Sequence, residues 1–274
     1  FNVLVDERVI IKSPQQHKFV GTRVLAKDMV NIVKGKMAYI HDMVLSDMLH
    51  ARLVRPPHYL ATLKSLDENL IERFDESNIS VVRDGNFVAV AAPDEYAAIK
   101  AATRLSASAK WDLEGGLPAK DLFDALTSNK RISLPIAPGG APVEEPVPPL
   151  LDLGEKASVS ISARFEKPYH MHGSIGPSAG CALFKENKLT VWTHNQGVYP
   201  LRGAMAEALK MEMDDIHVAF VPGSGCYGHN GADDAAYDAA LIARAIPNKP
   251  ILLKWTRDDE HAWEPYGSAM VCEL

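Results

Sequence analysis

The chain has 274 residues, 47% hydrophobic and 23% charged, enough apolar material for one large domain or two ordinary ones. Its net charge of −6, from 29 basic and 35 acidic residues, argues against a large nucleic-acid footprint or an anionic membrane surface, since both need a basic excess. Three widely spaced cysteines, Cys181, Cys226 and Cys272, contain no Cys-x-x-Cys pair, so neither an iron–sulfur cluster nor a zinc ribbon is expected within the chain. No apolar run approaches the roughly 18–20 residues of a membrane span. The chain opens on Phe1 rather than Met, so a segment upstream is expected, and the compartment stays open between cytoplasm and periplasm.

Residues 1–17, with Ser13-Pro14-Gln15-Gln16, read as an arm or linker. Residues 18–131 read as a compact α+β unit. Met37-Ala38-Tyr39-Ile40 and residues 49–55 have strand character, the second ended by Pro56-Pro57. Strands at 79–82 and 87–91 flank Asp84-Gly85-Asn86, a hairpin signal. Helical spacing runs from Glu95 to Lys110, with Asp94 placed to cap it. The stretch 133–149, SLPIAPGGAPVEEPVPP, is too rich in proline for helix or sheet ladders and marks a linker assigned to 132–155.

A second unit is expected over 156–274. It begins with a strand at 158–165 and a hairpin whose arms, 182–184 and 189–193, flank Glu186-Asn187-Lys188. A helix at 202–213, a strand at 216–221, a helix at 232–245 and strands at 251–255 and 269–274 follow. The last strand is expected to be unpaired, so the unit reads as incomplete at Leu274.

Between the strand at 216–221 and the next helix lies Pro222-Gly223-Ser224-Gly225-Cys226-Tyr227-Gly228-His229-Asn230-Gly231. Glycines at this density let a backbone turn sharply and come close to a ligand, and a helix start behind them adds an anion-binding nest. The same residues also suit a plain strand-to-helix turn. The loop is neither a P-loop nor a dinucleotide fingerprint. Asp233-Asp234 suits the positive end of a helix, and Asp258-Asp259-Glu260 suits a solvated turn or helix start. His170-x-His172 with His194 and His229 allows a metal-hydrolase reading, but no carboxylate stands at a convincing spacing. Cys226 would have a lowered thiol pKa near a helix start; packing under a ligand is the simpler role.

Taken in order, these pieces resemble the xanthine dehydrogenase and aldehyde oxidase family. The order is linker, strand, His172-Gly173-Ser174-Ile175-Gly176-Pro177, hairpin, Trp192-Thr193-His194-Asn195-Gln196, helix, strand, glycine loop, helix, strand, Arg257-Asp258-Asp259-Glu260. The upstream unit, with Met48-Leu49-His50-Ala51-Arg52-Leu53-Val54-Arg55-Pro56-Pro57 and Val88-Ala89-Val90-Ala91, is similar to that family's α/β-hammerhead domain. Residues 156–274 resemble the first part of its molybdopterin-binding domain, in the branch of nicotinate dehydrogenase and isoquinoline oxidoreductase large subunits.

The resemblance implies a molybdenum hydroxylase large subunit that hydroxylates an aldehyde or an N-heteroaromatic carbon with water. It implies molybdopterin cytosine dinucleotide with molybdenum, and [2Fe-2S] clusters in a partner subunit that takes the electrons. A FAD or cytochrome subunit as the onward acceptor is also compatible. Gln196 falls on the family's glutamine beside the metal's oxygen ligand. Gly225, Cys226, Tyr227 and Gly228 fall on the loop that lies against the metal, where Cys226 or its neighbour replaces a phenylalanine. The general-base glutamate is expected beyond Leu274, so no catalytic residue and no protein metal ligand is expected here, and the piece alone is expected to be inactive. A glutamate of purine-oxidising members falls near Asn230, which argues against purines. Two other readings stay open, a non-catalytic subunit or assembly partner on the same fold and a hydrolase using the histidines or Cys226.

Overall fold

A computed structural model of the protein describes residues 6, 8–36, 39–115, 121–130, 132, 134–138, 140–147, 149, 158–228 and 234–274. By its internal contacts the chain divides into Phe1–Ala38 and Tyr39–Leu274. The first unit holds a 3-10 turn at Pro14–Gln16 and helix α1 (Met29–Val33), and neither buries a side chain.

The second unit opens with a 3-10 turn at Ile40–Asp42 and continues through β1 (Leu49–Leu53), β2 (Thr62–Ser65), α2 (Glu68–Asp75), β3 (Ser80–Asp84), β4 (Phe87–Ala92) and α3 (Glu95–Ser108). Then come β5 (Lys110–Asp112), α4 (Leu122–Ser128), β6 (Arg164–Lys167), β7 (Ala179–Lys185), β8 (Lys188–Thr193) and α5 (Val198–Leu209). It ends with β9 (Ile216–Phe220), α6 (Asp234–Ala245), β10 (Ile251–Lys254), α7 (Arg257–Trp263) and β11 (Met270–Glu273). Seven strands form one mixed sheet in the order β3-β4-β1-β10-β7-β8-β9, and β6 with β11 and β2 with β5 form two small ribbons.

Local chemistry explains the elements that matter most. The β7–β8 hairpin turns at Glu186 and Asn187, φ 52° and 59°, the doubly positive turn that matches strand twist. Helix α3 is capped by Asp94, whose side chain accepts from the Ala97 N–H at 2.8 Å. Helix α7 starts with a capping box: Thr256 Oγ1 accepts from the Asp259 N–H at 3.0 Å, and Asp259 accepts from the Thr256 N–H at 2.8 Å.

The sheet buries both faces. Alternation sends Ala51, Ala89, Ala91, Ala182, Val191, Ile251 and Leu253 to the face covered by α5 and α6. Val88 and Val90 point to the opposite face, against α2 and α3, and Ala179, Cys181 and Leu252 pack there with Ile40. Strands from both sides of the proline-rich stretch share this sheet, because β1 runs parallel to β10 in the register Leu49↔Ile251 to Ala51↔Leu253.

Several expectations are corrected. Met37 and Ala38 lie outside the described residues, and Ile40 enters a 3-10 turn instead of a strand, with its N–H on the Pro222 carbonyl at 2.8 Å. The strand expected at 158–165 is β6, displaced toward the C-terminus so that it can pair with β11. That pairing, Met270↔Lys167 to Glu273↔Arg164, also means that the last strand is not unpaired. The helix expected at 202–213 is α5, which starts at Val198 and stops at the left-handed Lys210, φ 53°.

Candidate functional site

Strand direction decides where the unusual segments meet. β8, β9, β10 and β1 point the same way, whereas β7 runs against both β8 and β10. The loops leaving β8, β9 and β10 and the segment entering β7 therefore emerge at one end of the sheet. These are residues 194–197, 221–228, 255–264 and 172–178. Ligands of open α/β sheets bind at this end, outside the carboxyl ends of parallel strands. The last register pair of β8 and β9 is Thr193↔Phe220, and the Val221 N–H continues it onto the Thr193 carbonyl at 2.8 Å. The segment containing Gln196 and the glycine loop thus start side by side. Gln196 itself is exposed.

Within the glycine loop, Gly225 and Gly228 have φ +130° and +114°, values that L side chains rarely adopt, and Tyr227 between them is left-handed at φ 52°. The turn brings the Tyr227 ring over Gly225, where an added Cβ would meet the ring at 2.7 Å. Cys226 is half-buried, and its Sγ accepts the Gly228 N–H at 3.3 Å. His229, Asn230, Gly231 and Asp233 lie outside the described residues.

Three contacts fasten this loop to its neighbours. A Cβ on Gly223 would meet His194 at 2.6 Å, so that glycine permits a close approach to the β8 exit. Ser224 Oγ accepts the Gly176 N–H at 3.0 Å and donates to the Gly176 carbonyl at 3.0 Å. His172 lies beneath Gly228, its Nε2 3.5 Å from where a Cβ would stand.

Helix α7 and the residue after it fix the 172–178 segment. Glu260, wholly buried, accepts from the Ser178 N–H at 2.6 Å and the Ser178 hydroxyl at 3.1 Å. Arg257 donates to the carbonyls of Ser174 and Ile175. Glu264 Oε1 takes the His172 N–H at 2.6 Å and stands 3.3 Å from His172 Nδ1. His41 Nε2 is 2.6 Å from the Pro177 carbonyl oxygen. Asn195 Oδ1 accepts the Gly197 N–H at 2.6 Å ahead of α5. Three buried polar atoms of these segments, Asn195 Nδ2, Ser174 Oγ and Glu264 Oε2, have no hydrogen-bond partner among the described residues. Buried polar atoms are rarely left so, and those of a ligand site are completed by the ligand or by water.

Among the described residues the histidines do not assemble a metal centre. His170 is exposed and its main chain pairs with Gly267, His172 is held by Glu264, and His194 Nε2 accepts the Ala179 N–H at 3.3 Å. Among the described residues no group of three His, Cys, Asp or Glu side chains is arranged to hold a metal ion. In the acidic run, Asp259 caps α7 and Glu260 anchors Ser178. The roles of Ser224, Glu260 and Glu264 are invisible to sequence spacing, because their partners lie 48, 82 and 92 residues away. A separate cleft of about 490 Å³, lined by Tyr59, Tyr169, Trp263 and Tyr266, contains neither Gln196 nor the glycine loop.

Residues 152–274 match the model of the molybdopterin cofactor-binding domain. Over 96% of its length the chain is 34% identical to a nicotinate dehydrogenase subunit of Pseudomonas putida. Together these matches support the xanthine dehydrogenase/aldehyde oxidase family. Over 91 residues, 33% of the chain and 12% of the relative, it is 34% identical to the aldehyde oxidoreductase molybdenum-binding subunit PaoC of Escherichia coli. Among solved structures of the family's fold, aldehyde oxidoreductase from Desulfovibrio desulfuricans superposes with a TM-score of 0.67 over 92% of this chain and 33% of that one. At 16% identity that likeness speaks for the fold alone. The chain spans only 22% of the nicotinate dehydrogenase subunit that it matches.

Proposed function

We propose that this chain forms one wall of the molybdenum site in a hydroxylase large subunit that oxidises an aldehyde or an N-heteroaromatic carbon, with water supplying the oxygen. The observation that carries the reading is the junction at Thr193↔Phe220, which starts the Gln196 segment and the glycine loop side by side at the ligand-binding end of the sheet. In this reading residues 18–131 form the hammerhead domain, 132–155 the linker and 156–274 the opening part of the molybdopterin domain.

The residues suit such a group. Gly225 and Gly228 let the loop backbone take its positive-φ turns, with the Tyr227 ring folded over Gly225. Asn195 Nδ2 and Ser174 Oγ are buried polar atoms at the same sheet end that a polar group would complete. When bound, the molybdenum–molybdopterin cytosine dinucleotide supplies the two-electron oxidation. The chain's part is to bind and orient. The exposed Gln196 carries an amide that can both donate and accept hydrogen bonds, and would help to hold the group by one of them. Cys226 packs against the loop's own backbone through the Gly228 N–H instead of attacking substrate. Tyr227, exposed on the loop beside Cys226, would offer an aromatic face to a substrate ring in place of the phenylalanine that the resemblance puts at Cys226 or its neighbour. The general-base carboxylate belongs to a part of the subunit beyond Leu274, and [2Fe-2S] clusters of a partner subunit receive the electrons, with a FAD or cytochrome subunit beyond them.

The test is the metal and nucleotide content of the intact complex purified from its own host. Near-stoichiometric molybdenum with released cytosine nucleotide is expected. A complex with filled iron–sulfur clusters and no molybdenum would overturn the reading in favour of a non-catalytic scaffold.

A further inference from the structure

We infer that Glu264 is a positioning residue for the glycine loop, acting through His172; its relevance to catalysis rests on the function proposed above. Glu264 follows α7 directly, and its side chain is wholly enclosed, at 0% exposure. One of its oxygens, Oε1, meets His172 twice, at the main-chain N–H (2.6 Å) and at ring Nδ1 (3.3 Å). The first contact fixes the path of the chain at residue 172, and the second fixes the rotation of the imidazole. With Nδ1 turned to the carboxylate, the opposite edge of the ring faces the loop. Nε2 and Cδ2 are the atoms nearest to a Cβ built on Gly228, at 3.5 and 3.6 Å. The ring edge therefore faces Gly228 across a space of about one methyl group.

The same segment meets the loop a second time, through the two hydrogen bonds between Gly176 and Ser224. Residues 224–228 are thus hydrogen-bonded to Gly176 at one end and faced by the His172 ring at the other, and Glu264 sets the position of that ring. A main-chain N–H needs only a neutral acceptor. Burying a carboxylate is costly, and hydrogen bonds to an ionised acceptor are roughly twice as strong as neutral ones. What the carboxylate adds over an amide is a firm hold on Nδ1–H. That hold settles which ring nitrogen carries the proton and which way the ring faces, as carboxylate–histidine pairs do around metal sites.

The experiment is hydrogen exchange of the amides at 224–228 in the assembled full-length protein, together with kcat and KM. The variants are Glu264→Gln, Glu264→Ala and His172→Gln. In Glu264→Ala the exchange at 224–228 should rise about tenfold, the factor that one charged hydrogen bond is worth, while the β3–β4 hairpin exchanges as before. A fall in kcat larger than the change in KM should accompany it. Glu264→Gln, which keeps an acceptor for the main chain, should recover part of both. Unchanged exchange and kcat in Glu264→Ala would overturn the inference. Should that variant fail to assemble, His172→Gln decides, since it removes the ring but keeps the main-chain N–H; normal exchange and kcat in it would likewise overturn the inference. The exchange readout needs no molybdenum. A metal-free complex whose loop still loosens would therefore reject the proposed function and keep the positioning role. A molybdenum-loaded complex whose loop does not loosen would do the reverse.

Discussion

At the scale of single residues, side-chain environment separates groups that look alike in sequence. Cys181 and Cys272 are both free thiols, yet Cys181 is wholly buried between β10 and β8, and burial pushes its pKa up to about 12. It is expected to resist alkylation in the folded protein while the exposed Cys272 reacts, with all three cysteines modified only after unfolding; mass spectrometry after iodoacetamide labelling reads this directly. Gly223 is a second such position. Its φ is ordinary, so the constraint is space, and Gly223→Ala would press a methyl group into His194. Overpacking of this kind costs about 1–3 kcal/mol if the loop yields, and it should displace the glycine loop. Under the function proposed above, the expected result is a lower molybdenum content of the purified complex, with iron–sulfur content unchanged.

Individual elements owe their placement to a few close approaches. Helix α6 lies on β7 because Gly180 has no side chain and the helix presents Ala235, Ala236, Ala239 and Ala240 to the sheet. A Cβ on Gly180 would come within 2.7 Å of the Ala236 Cα, a backbone atom that cannot step aside. Gly180→Leu should therefore destabilise the protein by about 3 kcal/mol, seen as a clear drop in melting temperature. The effect also reaches the site, because α6 follows the glycine loop. Helix α7 works differently. It has only seven residues, and its value lies in polar side chains that reach back to the 172–178 segment.

Across the whole Tyr39–Leu274 unit, charged clusters tie together strands that the proline-rich stretch separates in sequence. Arg55, beyond β1, pairs with Asp238 on α6 at 2.7 Å and lies over the rings of Trp255 and Trp263. Glu95 on α3 accepts from Arg52 on β1 at 2.7 Å and from Lys254 on β10 at 3.2 Å, with His50 nearby. Burial pushes the Glu95 carboxyl up, but the hydrogen bonds from Arg52 and Lys254 outweigh it and hold it below the usual carboxylate value of 4.5. Burial also pushes His50 below its usual 6.5, only partly offset by Glu95. Both folded values lie below the unfolded ones, so both contributions are present at neutral pH and are lost as pH falls. The loss begins below 6.5 for His50 and below 4.5 for Glu95. Melting temperature should therefore decline from pH 7 toward pH 4, and Glu95→Gln should flatten the lower part of that decline.

Much of the element order was legible in the sequence because its signals are local. Asp94 before an alanine-rich run, Gly85 between two apolar runs and Pro56-Pro57 after a strand act on their own neighbours, and β3, β4, α3, β7 and β8 stand close to where those signals put them. The motif order also pointed to the family. What periodicity could not supply was partnership. β11 is paired by β6, from about a hundred residues upstream, and β1 is joined to β10 across the proline-rich stretch. Likewise the carboxylates of 258–260 read as a solvated turn or helix start; they do open α7, but Glu260 is buried against Ser178. Hydrogen bonds between residues 48 to 92 positions apart leave no mark on local spacing. The residues of the glycine loop were thus set by sequence chemistry, since only glycine accepts those backbone angles freely. The platform beneath the loop was decided by the tertiary structure, because strand direction alone brings 172–178, 194–197 and 221–228 to one end of the sheet.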